Sequence, residues 1–176
     1  MESFISVVGT AFILQLTALP GEKGQLVIAG LATRYNPYMV VAGASTAFGG
    51  WTVIEILLGN ALKGALPEAY LDAITAGLFF IFGGWLLYTT VDSVDTPEVA
   101  SEGSRLAAIQ SRLPKRLHGF LPSFWFMVFG EFGDKTQLVT IGLAVQYGAT
   151  PAIWVGEMLA IIPVSLATAL FFNKTA

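Results

Sequence analysis

Five stretches of this chain are apolar over about the length, roughly 20 residues, that an α-helix needs to cross a bilayer. They are 4–31, 38–62, 69–90, 120–146 and 151–172. Inside a membrane the backbone must satisfy its own N–H and C=O groups, and runs of this length do so as helices. The links "ATRYNP", "KGALPE" and "YGAT" are short, so helical hairpins are expected. The reading is therefore an all-α integral membrane protein. Composition agrees: 55% of the 176 residues are hydrophobic and 12% are charged, against about 25% charged in soluble domains. A net charge of −3 gives no basic footprint for nucleic acid. With no cysteine there is no disulfide, thiolate metal site or thiol catalysis. The N-terminus lacks a basic region and a small-residue cleavage site, so it reads as a retained first span.

One segment breaks the pattern. Residues 91–118 are polar, acidic in the first half (Asp92, Asp95, Glu98, Glu102) and basic in the second (Arg105, Arg112, Lys115, Arg116). A solvated loop is expected, with a short amphipathic helix around 100–112. Arg34 and Lys174 fall on the same side as those four basic residues, and only Lys63 falls opposite. The positive-inside rule then places the loop in the cytoplasm and the N-terminus outside. The expected organisation is a three-helix repeat over 1–90, the loop over 91–118, and a second repeat over 119–176 with two helices present.

Charges also stand where hydrocarbon is expected. "EFGDKTQ" (131–137) lies inside the fourth apolar run, and a related "LPGEKGQ" (19–25) interrupts the first. Around them, "PGEKGQLVIAGLATRYNP" (20–37) matches "FGDKTQLVTIGLAVQYGA" (132–149) at a constant offset, without a gap. The identities include Gly21/Gly133, Lys23/Lys135, Gln25/Gln137 and Tyr35/Tyr147, with Glu22 opposite Asp134. An offset of three helices makes the copies oppositely oriented. That is the inverted-repeat plan of secondary transporters, whose sites lie near the midplane where the repeats meet. The plan calls for three plus three helices, and this sequence supplies three plus two.

The chemistry follows from the residue types. A charge at mid-membrane costs about 2.5–3.5 kcal/mol on insertion scales, and such residues mark pathways and proton relays. On a helix Glu131 and Asp134, three residues apart, share a face, with Thr136 and Gln137 adding neutral oxygens. Oxygen-rich sets suit hard cations such as Ca²⁺, Mg²⁺ and Mn²⁺. Lys135 is four residues after Glu131, the favourable order for an ion pair. Buried acids also exchange a proton for a metal ion. A buried ion pair that only fixes packing is the plain alternative, and the second copy weighs against it. Glu157 and Glu55, on the fifth and second runs, are candidates for further ligands.

"E-F-G-D-K-T" resembles the signature E-x-G-D-K-[ST] of a family of small membrane transporters, which includes Golgi calcium/manganese transporters and bacterial and plastid relatives. The resemblance implies a cation/proton antiporter with six helices, two signature copies and a polar central loop. Glu131, Gly133, Asp134, Lys135 and Thr136 match the second signature fully. The first copy departs from it: Leu19 replaces the acid, Glu22 the aspartate, and Gly24 the Ser/Thr. Three acids, Glu131, Asp134 and Glu22, are then the expected metal ligands. Thr136, Gln137 and Gln25 assist, and Lys135 and Lys23 balance charge. The expected activity is exchange of Ca²⁺ or Mn²⁺ for H⁺, with no enzymatic reaction and no cofactor besides the transported ion. Two expectations stand for the sixth helix: the sequence stops short of it, or it is absent, with a homo-oligomer or a second chain supplying it. An uncoupled channel or uniporter is the alternative within transport. A non-transporting subunit derived from such a transporter is the alternative outside it.

Overall fold

The computed structural model describes residues 3–20, 22–65, 67, 70, 73, 76, 77, 80, 81, 84, 118–130 and 135–175. Six helices are bounded within them, with no strand among the described residues. In chain order they are α1 (Phe4–Ala18), α2 (Lys23–Ala32), α3 (Pro37–Ala65), α4 (Phe120–Gly130), α5 (Lys135–Tyr147) and α6 (Pro151–Thr175). The all-helical expectation holds.

Local chemistry sets the ends. Ser3 caps α1, its Oγ accepting from the Ser6 N–H at 3.2 Å. The two longest helices start alike, with a proline at the first position, where its missing N–H costs nothing. Asn36 precedes Pro37 and accepts from the Tyr38 N–H at 3.0 Å. Thr150 precedes Pro151 and accepts from the Ala152 N–H at 3.3 Å. Gly148 closes α5 at φ +80°, where glycine alone is unstrained, and donates to the Ala144 carbonyl at 2.8 Å.

The first apolar run is interrupted where its sequence predicts, between Ala18 and Lys23. Helices α3 and α6 are long and apolar enough to cross a membrane, and α1 with α2 adds a third if taken as one broken span. The fourth run forms α4 and α5 on either side of residues 131–134. Those four residues lie outside the described set, and with them the shared helical face expected of Glu131 and Asp134. The described positions of the third run are helical. The amphipathic helix expected around 100–112 lies outside the described residues.

The chain forms two compact units. The first comprises Met1–Pro20, Gly49–Val94 and Gly133–Ile161. It contains α1, the second half of α3, α5 and the first half of α6. Val7, Ala11, Ile56, Val139, Leu143, Ala144, Ala152 and Ile153 form its core. Polar ties hold its rim: Lys63 Nζ donates to the Gln146 carbonyl (2.7 Å), and the Ala149 N–H donates to Asn60 Oδ1 (3.1 Å). Within it, Trp154 Nε1 donates to the Gly49 carbonyl at 3.1 Å.

The second unit comprises Gly21–Phe48, Asp95–Phe132 and Ile162–Ala176. It holds α2, the first half of α3, α4 and the second half of α6. Ile28, Ala32, Val40, Ala44, Met127 and Ala169 are buried in it. Ser123 Oγ donates to the Val40 carbonyl (2.7 Å), and Asn173 Nδ2 to the Ala32 carbonyl (2.8 Å).

The repeat seen in the sequence reappears in these contacts. In the first unit Gly156 lies against α1, where an added Cβ would meet the Val8 carbonyl oxygen at 2.5 Å. In the second, Gly43 lies against the carbonyl oxygen of Phe120 in the same way. Val8 and Phe120 stand at the offset of the two signature copies, and Gly43 and Gly156 one position beyond it. Asn60 and Asn173 share the spacing of the two glycines, and each ties a long helix to the end of a shorter one. The pairings α1 with α5 and α2 with α4 correspond as well. Each unit thus contains one set of contacts, made from different parts of the chain.

Candidate functional site

In the first unit three apolar helices converge on a buried polar cluster. Thr52 and Glu55 lie on α3 three residues apart, hence on one face. Gln137 and Thr140 have the same relation on α5. Glu157 comes from α6. Glu157 is 1% exposed, Thr140 1%, Thr52 3% and Glu55 7%.

The hydrogen bonds are specific. Thr52 Oγ1 donates to Glu157 Oε2 at 3.0 Å, and Thr140 Oγ1 approaches Glu157 Oε1 at 2.8 Å. Thr140 Oγ1 also lies 3.1 Å from the Thr136 carbonyl, one turn back. Glu55 lies beside Thr140 and Gln137 and near the Glu157 carboxyl. A buried carboxyl is costly unless its oxygens find donors. Here the donors to Glu157 are two neutral hydroxyls, Thr52 and Thr140.

The second unit carries the first-copy residues. Glu22 is 1% exposed and stands in extended conformation (φ −72°, ψ 135°) as the residue before α2. A carboxylate there meets the positive end of the helix dipole. Gln25 Nε2 donates to Ser165 Oγ at 3.1 Å. Lys23 is exposed. Leu19, at the position where the signature has an acid, is buried at the end of α1 in the first unit.

The structure therefore brings together Glu55, Gln137 and Glu157 among the residues singled out in the sequence. Thr136 is buried one turn before Thr140. Glu131 and Asp134 lie outside the described residues, and Lys135 is described only as the start of α5. Among the described residues no group of three or more His, Asp or Glu side chains is placed to hold a metal ion. Sequence reasoning missed Thr52 and Thr140. The available signal was threonine three residues before one intramembrane acid and three residues after a signature glutamine.

Comparison with known proteins agrees with the signature. The family model described as "Divalent cation/proton antiporter GDT1" matches residues 7–94 and 119–176, leaving out most of the polar loop. GDT1-like protein 5 of Arabidopsis thaliana is 29% identical over 169 residues, covering 83% of this chain and 72% of the relative. A GDT1-like protein of Synechocystis is 28% identical over 147 residues (80% and 71%). A Vibrio cholerae protein named "Putative manganese exporter" is 29% identical over 180 residues (98% and 82%). No solved structure gives a significant match. With both signature copies inside the matched segments, the chain belongs to the GDT1 family of divalent cation/proton antiporters.

Proposed function

We propose that this chain exchanges Mn²⁺ or Ca²⁺ for protons, with Glu131, Asp134 and Glu22 as the cation ligands. Thr136, Gln137 and Gln25 add neutral oxygens, and Lys135 and Lys23 balance the charge when the cation leaves. The observation that carries this is the complete second signature, matched in the first repeat by a copy whose acid, Glu22, is buried at a helix start. Carboxylates with amide and hydroxyl oxygens form a hard-cation donor set. Of the two cations, Mn²⁺ is favoured by the name of the Vibrio relative. The recurrence of the glycine and asparagine contacts supports two copies of one plan, and inverted repeats are the form such copies take in secondary transporters.

The test is direct. Purified protein is placed in vesicles with a pH dye inside, and Mn²⁺ or Ca²⁺ is added outside. The expected result is cation entry with alkalinisation of the lumen. Cation entry with no change in lumenal pH would instead favour the uncoupled channel reading.

The orientation is also testable, because the chain has no cysteine of its own. We propose that the N-terminus is outside and that residues 91–118 face the cytoplasm. Ser104→Cys in whole cells is then expected to react with an impermeant maleimide only after permeabilisation, and Ser3→Cys without it. The reverse pattern overturns the assignment.

A further inference from the structure

The last turns of α1 carry a buried amide that neither the core nor the proposed ligand set accounts for. Val7, Ala11 and Gln15 are buried at four-residue steps along α1, so they form one stripe. Val7 and Ala11 belong to the core shared with Val139 and Leu143 of α5. Gln15 continues that stripe toward the break at Pro20. It is 2% exposed, and its Oε1 has no hydrogen-bond partner among the described residues. A buried acceptor without a donor is costly, and each one calls for an explanation.

The repeat supplies one. By the offset of the signature copies, Gln15 corresponds to Met127 and Leu19 to Glu131. Gln15 and Leu19 are one turn apart: the Leu19 N–H donates to the Gln15 carbonyl at 3.0 Å, so their side chains share a face. The second copy has an apolar residue and then the signature acid. The first has the amide and then an apolar residue, so polar and apolar are exchanged across one turn. Met127 is buried as deeply as Gln15, so an apolar side chain satisfies this position in the other unit. The first copy thus lacks the acid at 19 and has an oxygen four residues earlier.

We propose that Gln15 is a cation ligand, its Oε1 standing in for the acid that the first signature copy lacks. The proposal rests on the antiport reading and deepens it, adding to the ligand set a donor that is neutral rather than charged. With two further apolar runs between them, the first and fourth runs point in opposite directions across the membrane. The end of α1 is then level with the start of α5, the helix it packs against, where Thr136 is buried. Glutamine carbonyls are ordinary ligands of hard cations, beside carboxylates. An amide in place of a carboxylate keeps the oxygen count and removes one negative charge. Ligand charge count tunes affinity for such ions. The identity of residue 15 therefore sets how tightly this site holds its cation.

The test is Gln15→Met, which gives α1 the residue that α4 carries at the matching position. Binding of radioactive Mn²⁺ to the purified full chain in detergent is measured over a concentration series, with thermal unfolding in parallel. Q15M is expected to raise the half-saturating Mn²⁺ concentration by about tenfold or more, the scale of losing a group that supports a metal. Its melting temperature without metal should be no lower than the parent's. A residue that only packs would move the melting temperature and leave Mn²⁺ binding alone. Wild-type half-saturation in folded Q15M therefore overturns the proposal. Gln15→Glu, nearly the same shape with an added charge, is expected to lower the half-saturating concentration. If Q15M does not fold, Q15E decides: a value at or above that of the wild type overturns the proposal. Q15M combined with Leu19→Glu gives α1 the pattern of the second copy and is expected to regain wild-type binding or better. A double variant no better than Q15M also overturns the proposal. Failure of the antiport reading looks different: the wild-type chain binds Mn²⁺ and answers to these changes but moves no protons. A wild-type chain that binds neither Mn²⁺ nor Ca²⁺ removes both.

Discussion

Vesicles carrying Glu131→Gln or Asp134→Asn are expected to take up Mn²⁺ no faster than protein-free vesicles. Each change keeps the volume and removes one negative charge from a proposed three-acid site. A hard divalent cation is held by charge and oxygen count. Even supporting residues around a metal are worth about 10- to 100-fold in affinity, so loss of a ligand is expected to cost at least about a hundredfold. Glu22→Gln acts in the same direction from the first copy. Uptake of radioactive Mn²⁺ over a concentration series is the measurement. Wild-type rates in both E131Q and D134N would remove these residues from the site. A folded wild-type chain that moves neither Mn²⁺ nor Ca²⁺ would favour the non-transporting subunit.

Gly156→Val is expected to destabilise the protein by about 1–3 kcal/mol, the range for forcing extra atoms into a packed interior. The added Cβ would lie 2.5 Å from the Val8 carbonyl oxygen, 2.7 Å from Ala11 Cβ and 3.0 Å from the Phe12 nitrogen. Two of those three neighbours are helix backbone and have no rotamer by which to yield. Between membrane helices such small-residue contacts carry much of the association. The contrast is Gly30→Ala. Gly30 is an exposed position of α2, with nothing within 4 Å of where an added methyl would sit. Replacing a helical glycine there is expected to stabilise by about 0.4–1 kcal/mol. Thermal unfolding in detergent, followed by tryptophan fluorescence, reads both signs. Equal melting temperatures for G156V and the parent chain would contradict the close approach of α6 to α1.

Much of this architecture is legible in the residues. Length and apolarity mark the helices, and Pro20 with the charges of Glu22 and Lys23 marks the break between α1 and α2. The gapless match of 20–37 to 132–149 marks the repeat, and "EFGDKTQ" identifies the family. Two things were not legible. Threonines on apolar helices are common, because a hydroxyl can bond back to its own helix, as Thr46 does to the Ala42 carbonyl at 2.7 Å. The nearby Glu55 and Gln137 are a weak local hint at Thr52 and Thr140; the deciding difference from Thr46 is a carboxyl on another helix, far along the chain in the case of Thr52. The second is the composition of the two units. Periodicity shows which residues belong to one helix, but the division of α3 and α6 between units depends on partners distant in sequence.

That division has a consequence for how the protein is made. The first unit draws on residues up to Ile161, and the second on residues up to the last turn of α6. Chains emerge from the ribosome at about 5–20 residues per second. When the polar loop has been synthesised, neither unit has all its helices. The glycine face at Gly43 and the hydroxyl at Thr52 must wait, unpartnered, for helices still to come. Completion of both units is therefore a late event in synthesis.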